Sequence, residues 1–281
     1  PIGAMKSTIV DRIEDIEPPL AHMIPELSSN VLLPLVVVIA MFEQTGTPQL
    51  AADGQVYMGM EGQSGGNMEG KETRFGVTDS SLWAAFTTAA SNGSVNSMHD
   101  SYTPIGGMVP IILMALGEVV FGGVGCGLYG MLGFVLLTVF IAGLMVGRTP
   151  EYLGKKIGPR EMRMAAVLSM TTPLLILVSC ALMCLDPATM DSLNNSGAHG
   201  FSEVLYAATS AGGNNGSAFA GFNANTPFIN VVLGLEMLAN RFIPIVAVCV
   251  LANSLCTRPK VAVSAGTLST SNALFVFLLL L

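Results

Sequence analysis

This sequence has little charge. Charged residues make up 11% of the 281-residue chain, against about 25% in an ordinary soluble domain, while 51% of the residues are hydrophobic and the mean hydropathy is +0.62. So few ions cannot cover a water-facing surface, and the composition identifies a membrane protein. The net charge is -7 and no block of lysines and arginines is present, which excludes nucleic acid as a partner. Cysteine is also sparse. Cys126, Cys180, Cys184, Cys249 and Cys256 lie in or at the ends of apolar stretches, without CxxC pairs or neighbouring histidines. They read as small membrane-core residues, and neither a zinc site nor a disulfide framework is expected. Residues 1–26 alternate charge and apolar side chains and lack the apolar region of a signal peptide. The chain opens on Pro1 and closes on "FVFLLLL", too short for a span of about 20 residues, so both ends are expected to be cut.

What is present is long apolar sequence. From Ser101 to Gly147 the only charge is Glu118, room for two crossings or for one crossing and a broken helix. Met164 to Leu185 is charge-free and reads as a transmembrane helix, and between Glu203 and Arg258 only Glu236 and Arg241 are charged, giving a short re-entrant piece and a full span. Residues 27–43 supply a marginal further span. "GRTPEYLGKKIGPREMR" (147–163) and "TRPK" (257–260) are basic and are expected on the cytoplasmic side. The connections 43–74 and 186–200, with acidic residues and "SGGN" and "NNSG" turns, belong on the opposite side.

Two polar stretches interrupt this pattern: "TTAASNGSVNS" (87–97) and "TSAGGNNGSAF" (209–219). Laying Gly93 on Gly216 places Leu82 on Leu205, Trp83 on Tyr206, Asn92 on Asn215 and Ser94 on Ser217 at one fixed offset. The chain thus contains an internal repeat, each copy reading as an outer helix, an external loop, a short amphipathic helix, the polar loop and a second helix. Asp79-Ser80-Ser81 and Ser202-Glu203 are expected to cap the two short helices. A helix of about a dozen residues reaches only about 18 Å, so it enters a bilayer and must turn back. Non-helical backbone at that depth is tolerated only where it lines water or is buried in protein. Its carbonyls can replace the hydration shell of a cation, glycines let the backbone aim them, and the negative end of the short helix faces the ion. The alternative is an exposed Asn-Gly turn. The Asn-Gly-Ser triplets also match a glycosylation acceptor, which membrane-like flanks argue against.

"GCGLYG" (125–130) has dinucleotide-loop spacing, but the stretch 131–147 that follows carries no charge, unlike any soluble crossover helix. The glycines from 122 to 130 read instead as a break in a long membrane helix. Glu118, Glu236 and Arg241 stand in apolar surroundings, where a charge costs on the order of 2.5–3.5 kcal/mol, and are expected to face a cavity or a partner. Glu118 falls on Arg241 at the repeat offset. His99 and His199 read as ordinary interfacial residues.

"NMEGKETRFG", "TTAASNGSVNSMHDS", "GGMVP", "GEVVFGGVG", "FIAGLMVGRTPEYLGKKI", "HGFSEVLYA" and "NNGSAFAG" resemble the potassium-binding subunits of bacterial Kdp ATPases, the KdpA family, from about Gly46 onward. The resemblance implies an all-α membrane protein of the Trk/Ktr/Kdp superfamily, in which four helix–pore-helix–helix units with re-entrant filter loops surround one selectivity filter. Two such units are present here, matching the third (31–147) and fourth (164–256). Residues 148–163 form a basic cytoplasmic loop, 257–281 a loop and the start of a truncated last helix, and 1–30 are unplaced. By the same resemblance Ser91, Asn92, Gly93, Ser94, Asn214, Asn215, Gly216 and Ser217 line the filter and bind K+. Glu118, Gly122, Gly123, Gly125, Arg148 and Arg241 lie on the ion's route or gate it. The implied partners are a P-type ATPase catalytic subunit, which hydrolyses ATP, small accessory subunits and the lipid bilayer. The implied location is the bacterial plasma (inner) membrane, multi-pass, with K+ as the transported ion and no organic cofactor. A passive Trk- or Ktr-like channel subunit and a non-functional truncated remnant stand as the alternatives.

Overall fold

The structure, a computed structural model, describes residues 32–44, 49–50, 56–57, 71–117, 122, 126–145, 147, 150–219 and 221–261, with 275 and 278–279. The unplaced segment 1–30 lies outside them. The described chain is nearly all helix. Helix α1 (Leu33–Gln44) is followed by α2 (Val77–Ala89), a 3-10 turn over His99–Ser101, α3 (Pro104–Gly117) and α4 (Cys126–Met145). Then come α5 (Pro159–Leu185), the one-turn α6 (Pro187–Asp191), α7 (Gly197–Gly212) and α8 (Pro227–Thr257). Within these, Gly127–Met145, Pro159–Leu185 and Pro227–Thr257 are long and apolar enough to cross a membrane.

Local sequence sets these ends. Threonine followed by proline opens both α3 and α8. Thr103 Oγ1 accepts from the Gly106 N–H at 3.0 Å and Thr226 Oγ1 from Ile229 N–H at 3.3 Å, with the proline where no N–H is needed. The expected caps of the two short helices are not found. Helix α2 starts after Gly76 and α7 after Ser196, neither with a side-chain cap. Ser202 and Glu203 therefore lie inside α7, because "GAH" before them continues the helix.

The elements form two helix sets. Ile39, Ala84, Ala85 and Leu113 join α1, α2 and α3, and Ile176, Met183, Val204, Ala208 and Ile229 join α5, α7 and α8. A further cluster, Val139, Ala165 and Leu251, binds α4 to the α5–α8 pair. Alanines on the short helices (Ala84, Ala85, Ala89; Ala207, Ala208, Ala211) are buried and let backbones approach closely, as small residues do between membrane helices. Met114, Tyr206 and Phe219 connect the two sets. Large apolar side chains such as Leu177, Leu235 and Val246 are exposed, as a lipid-facing surface requires.

The basic loops meet at one end. Arg258 forks onto Glu161 with contacts of 3.1 and 3.2 Å, Glu161 accepts from Gly158 N–H at 2.8 Å, and Val261 N–H bonds Gly154 O at 2.8 Å. At the C-terminal end of α1 the buried Lys71 ammonium lies 3.4 Å from Glu43 Oε2, donates to Ser101 O at 2.8 Å and sits 4.3 Å over the Tyr102 ring. Glu43 Oε1 accepts from Thr103 N–H at 2.7 Å. This buried pair welds α1 to the segment that follows the first polar loop. Removing one member takes a buried counter-charge from the other, so Lys71→Met is expected to destabilise the full-length subunit by about 3–5 kcal/mol, with the double variant Glu43→Gln/Lys71→Met recovering part of the loss. Thermal unfolding in detergent checks this, and equal losses in the single and double variants would refute the pairing.

Candidate functional site

The repeat seen in the sequence is also a repeat of backbone geometry. At the end of α2, Ala90, Ser91 and Asn92 N–H donate to Phe86, Thr88 and Thr87 carbonyls; at the end of α7, Gly213, Asn214 and Asn215 donate to the equivalent Thr209, Ala211 and Ser210 carbonyls. Both turns pass through a left-handed residue at the same position, Ser91 (φ 53°) and Asn214 (φ 55°). Each loop is then held from inside by its asparagine: Asn92 Oδ1 accepts from Ser94 N–H at 2.8 Å and Asn215 Oδ1 from Ser217 N–H at 3.4 Å. Aromatic side chains brace both loops at equivalent places. Trp83 Nε1–H donates to Ser94 O at 3.2 Å, and the Tyr206 hydroxyl meets Ser217 Oγ at 3.0 Å.

The two loops touch. Ser91 Oγ donates to Gly213 O at 3.0 Å, and a Cβ on Gly93 would fall on the Asn215 carbonyl oxygen. Gly93 is therefore required for a close approach, whereas Gly216 is required for its own backbone: it has φ 78° and open space around it. In the first loop the Asn92 and Ser94 carbonyls already accept from Thr87 Oγ1, at 3.2 and 2.8 Å. Among the described residues the carbonyls of Gly93, Asn215, Gly216 and Ser217 accept no hydrogen bond. Unengaged carbonyls at the negative ends of two helices favour a cation.

Other expected residues lie apart from the loops or outside the described residues. Gly122 has φ 28°, and a Cβ there would lie 2.5 Å from Gly117 O and 2.6 Å from Gly127 Cα, so only glycine fits at this position. Arg241 is exposed on α8 and makes no ion pair among the described residues. Glu236 faces the opposite way, buried against α5, with both carboxylate oxygens lacking a close hydrogen-bond partner and Ser179 as its polar neighbour. Glu118, Gly123, Gly125 and Arg148 lie outside the described residues.

The histidines depart from the sequence reading. His99 is buried, not interfacial, and its Nδ1 lies 2.8 Å from the Tyr206 hydroxyl. His199 is half-buried and its Nε2 contacts Asp100 Oδ1 at 2.7 Å. Asn194 and Asn195 amides donate to Asp100 Oδ2 at 3.1 and 2.9 Å, and Glu203 accepts from Asn194 and Asn195 N–H at 3.0 Å each. Asp100, His199 and Glu203 hold ligand atoms within 4.8 Å of one another, a spacing that could accept a metal ion, but amide donors already occupy both carboxylates. The cluster acts as a clamp between the two helix sets. The only advance signal was "MHDS" following the polar loop.

The family model for the potassium-transporting ATPase A subunit matches residues 18–281. The chain belongs to that family. The match begins inside the stretch that sequence reading left unplaced. Within the family, the potassium-binding subunit of a potassium-transporting ATPase from Clostridium botulinum (strain Alaska E43 / Type E3) is 66% identical over 243 residues, 86% of this chain and 42% of that protein. That from Clostridium perfringens (strain ATCC 13124) is 65% identical over 251 residues, 89% of this chain and 43% of that one. A Listeria monocytogenes relative (serovar 1/2a) is 58% identical over 246 residues, 88% and 43%. The chain thus spans less than half the length of these relatives.

Two predictions follow from this geometry. In the full-length subunit Gly93→Ala must push the loops apart and is expected to raise half-saturating K+ at least tenfold, about 1.4 kcal/mol. Gly216→Asn, which keeps the left-handed backbone, should cost less than Gly216→Val. Ion uptake across a K+ series measures both, and equal tolerance of Gly93→Ala and a surface control would refute the close approach. The clamp should also show in pH dependence. The hydrogen bond to Asp100 raises the His199 pKa against the effect of burial. Burial pushes Asp100 up, but bonds from His199 and the asparagines outweigh it and leave it below its usual value. Stability from His199 is therefore present below the unfolded histidine pKa and lost as pH rises through the elevated one. Thermal melts of wild type should fall across that window, and those of His199→Gln should not.

Proposed function

We propose that this chain supplies two of the filter segments of a potassium-binding subunit. K+ sheds water onto the backbone carbonyls of Gly93, Asn215, Gly216 and Ser217, with Ser91, Asn92, Ser94 and Asn214 shaping the two loops. The observation that carries the reading is the pair of equivalent loops, each ending a short helix and touching the other through Gly93. In a bilayer α2 and α7 are the re-entrant pore helices of two units, spanning roughly 31–147 and 164–256, between the basic loop 148–163 and the final segment 257–281. The basic ends that meet at Arg258 and Gly154 face the cytoplasm, and the protein is multi-pass in the bacterial plasma membrane. ATP hydrolysis falls to a P-type catalytic subunit, with small accessory subunits completing the complex. A passive channel subunit is not favoured, because the matched family is that of an ATPase subunit.

Below the filter, Glu118, Gly122, Gly123 and Gly125 gate the ion's route, and Arg241, with Arg148, sets the electrostatic barrier to the ion as it passes toward the catalytic subunit. Arg241→Gln in the complete complex should uncouple or impair potassium-dependent ATP turnover, and Arg241→Lys should be milder. Unchanged turnover in Arg241→Gln at normal protein levels would contradict this role.

Two filter segments do not enclose an ion. The purified chain in liposomes is therefore expected to show no selective, saturable K+ flux, whereas the full-length subunit with its partners drives K+ uptake dependent on ATP. Selective flux by the chain alone, as a monomer, would overturn the reading.

A further inference from the structure

Trp83 and Tyr206 occupy equivalent places but reach their loops differently. The Trp83 indole N–H bonds the Ser94 carbonyl directly at 3.2 Å. Tyr206 reaches only the Ser217 side chain, at 3.0 Å, and its hydroxyl is shared with His99 Nδ1 at 2.8 Å. Ser217 Oγ in turn lies 3.5 Å from Asn215 Oδ1 and 3.7 Å from Met114 Sδ, both acceptors. His99 belongs to the other helix set, in the turn after the first polar loop, and is 1% exposed.

The direction of this chain follows from its dead end. His99 Nε2 is buried without a hydrogen-bond partner. An orphaned N–H is costlier than an orphaned lone pair, so the imidazole carries its proton on Nδ1. Burial, with the Lys71 ammonium nearby, pushes the His99 pKa down to about 4, which keeps the ring neutral. His99 Nδ1–H then donates to the Tyr206 oxygen, Tyr206 O–H donates to Ser217 Oγ, and Ser217 O–H is left to donate toward Asn215 Oδ1 or Met114 Sδ. The ring is further fixed by Tyr102, 5.3 Å away between centroids, and Tyr206 by Phe219, at 4.3 Å.

The geometry points to His99 as a positioning residue for the second filter loop: acting from the first helix set through Tyr206, it orients Ser217 and so determines how well that loop favours potassium over rubidium. This rests on the potassium-binding reading above. The first loop has no such dependence, because Trp83 holds it directly.

The test uses the full-length subunit in its assembled complex. His99→Phe keeps the ring volume and removes the donor, Tyr206→Phe cuts the chain at its centre, and His99→Gln restores an N–H. Loss of one such hydrogen bond is expected to raise half-saturating K+ roughly three- to tenfold in His99→Phe and in Tyr206→Phe, with the rubidium-to-potassium preference rising in both. The double variant should be no worse than either single one, and His99→Gln should recover most of the preference. A purely structural role would lower the amount of complex without moving the ion preference. A reading independent of potassium is the ¹⁵N spectrum of His99, which must show the Nδ1–H tautomer in wild type and change in Tyr206→Phe. An Nε2–H tautomer, or unchanged ion preference in assembled His99→Phe complex, overturns the assignment. Loss of potassium dependence in the wild-type complex would count against the parent reading alone, since the spectrum still decides the relay.

Discussion

The contact between Gly93 and the Asn215 carbonyl holds the arrangement together. Two loops from distant parts of the chain approach so closely that no side chain fits between them, and Ser91 Oγ closes the same seam on Gly213 O at 3.0 Å. Much of the surrounding architecture serves this contact. The buried alanines of α2 and α7 let the outer helices press against the short ones. The Glu43–Lys71 pair fixes the segment leaving the first loop. The Asp100–His199 clamp ties that segment to the start of α7.

Duplication has kept the backbone and let the side chains diverge. The turn hydrogen bonds and the left-handed residue recur at equivalent positions in the two loops, although serine stands at one and asparagine at the other. Such conservation of form within one chain follows from the carbonyls: their directions are set by φ and ψ, and side chains need only supply a bond of the right kind from behind. Thr87 does so with its hydroxyl on backbone oxygens, while Ser210 uses its hydroxyl on the Asn215 side chain. Tryptophan and tyrosine solve the same bracing problem with different reach.

The all-α membrane class, the three long apolar helices and the repeat were legible in the sequence, because lipid imposes length, low charge and closed backbone bonding on every span. The two loops were legible as paired polar interruptions of apolar sequence, with serine, asparagine and glycine recurring at one fixed offset. Helix starts were not, since Gly76 and Ser196 carry no capping bond and Glu203 spends its carboxylate on the preceding loop. Nor were the burial of His99 and Lys71 visible, because their partners, Tyr206 and Glu43, are distant in sequence and no local period marks them. The different demands on Gly93 and Gly216 likewise depend on which loop meets which, and on the sign of one backbone angle.

The most direct measurement is the anomalous signal of rubidium or thallium in crystals of the full-length subunit with its partners. The account predicts a single ion density facing both loops, within coordination distance of carbonyl oxygens from 93 and from 215–217, displaced by potassium and not by sodium. Density bound away from these carbonyls, with the two loops unoccupied under saturating ion, would contradict it.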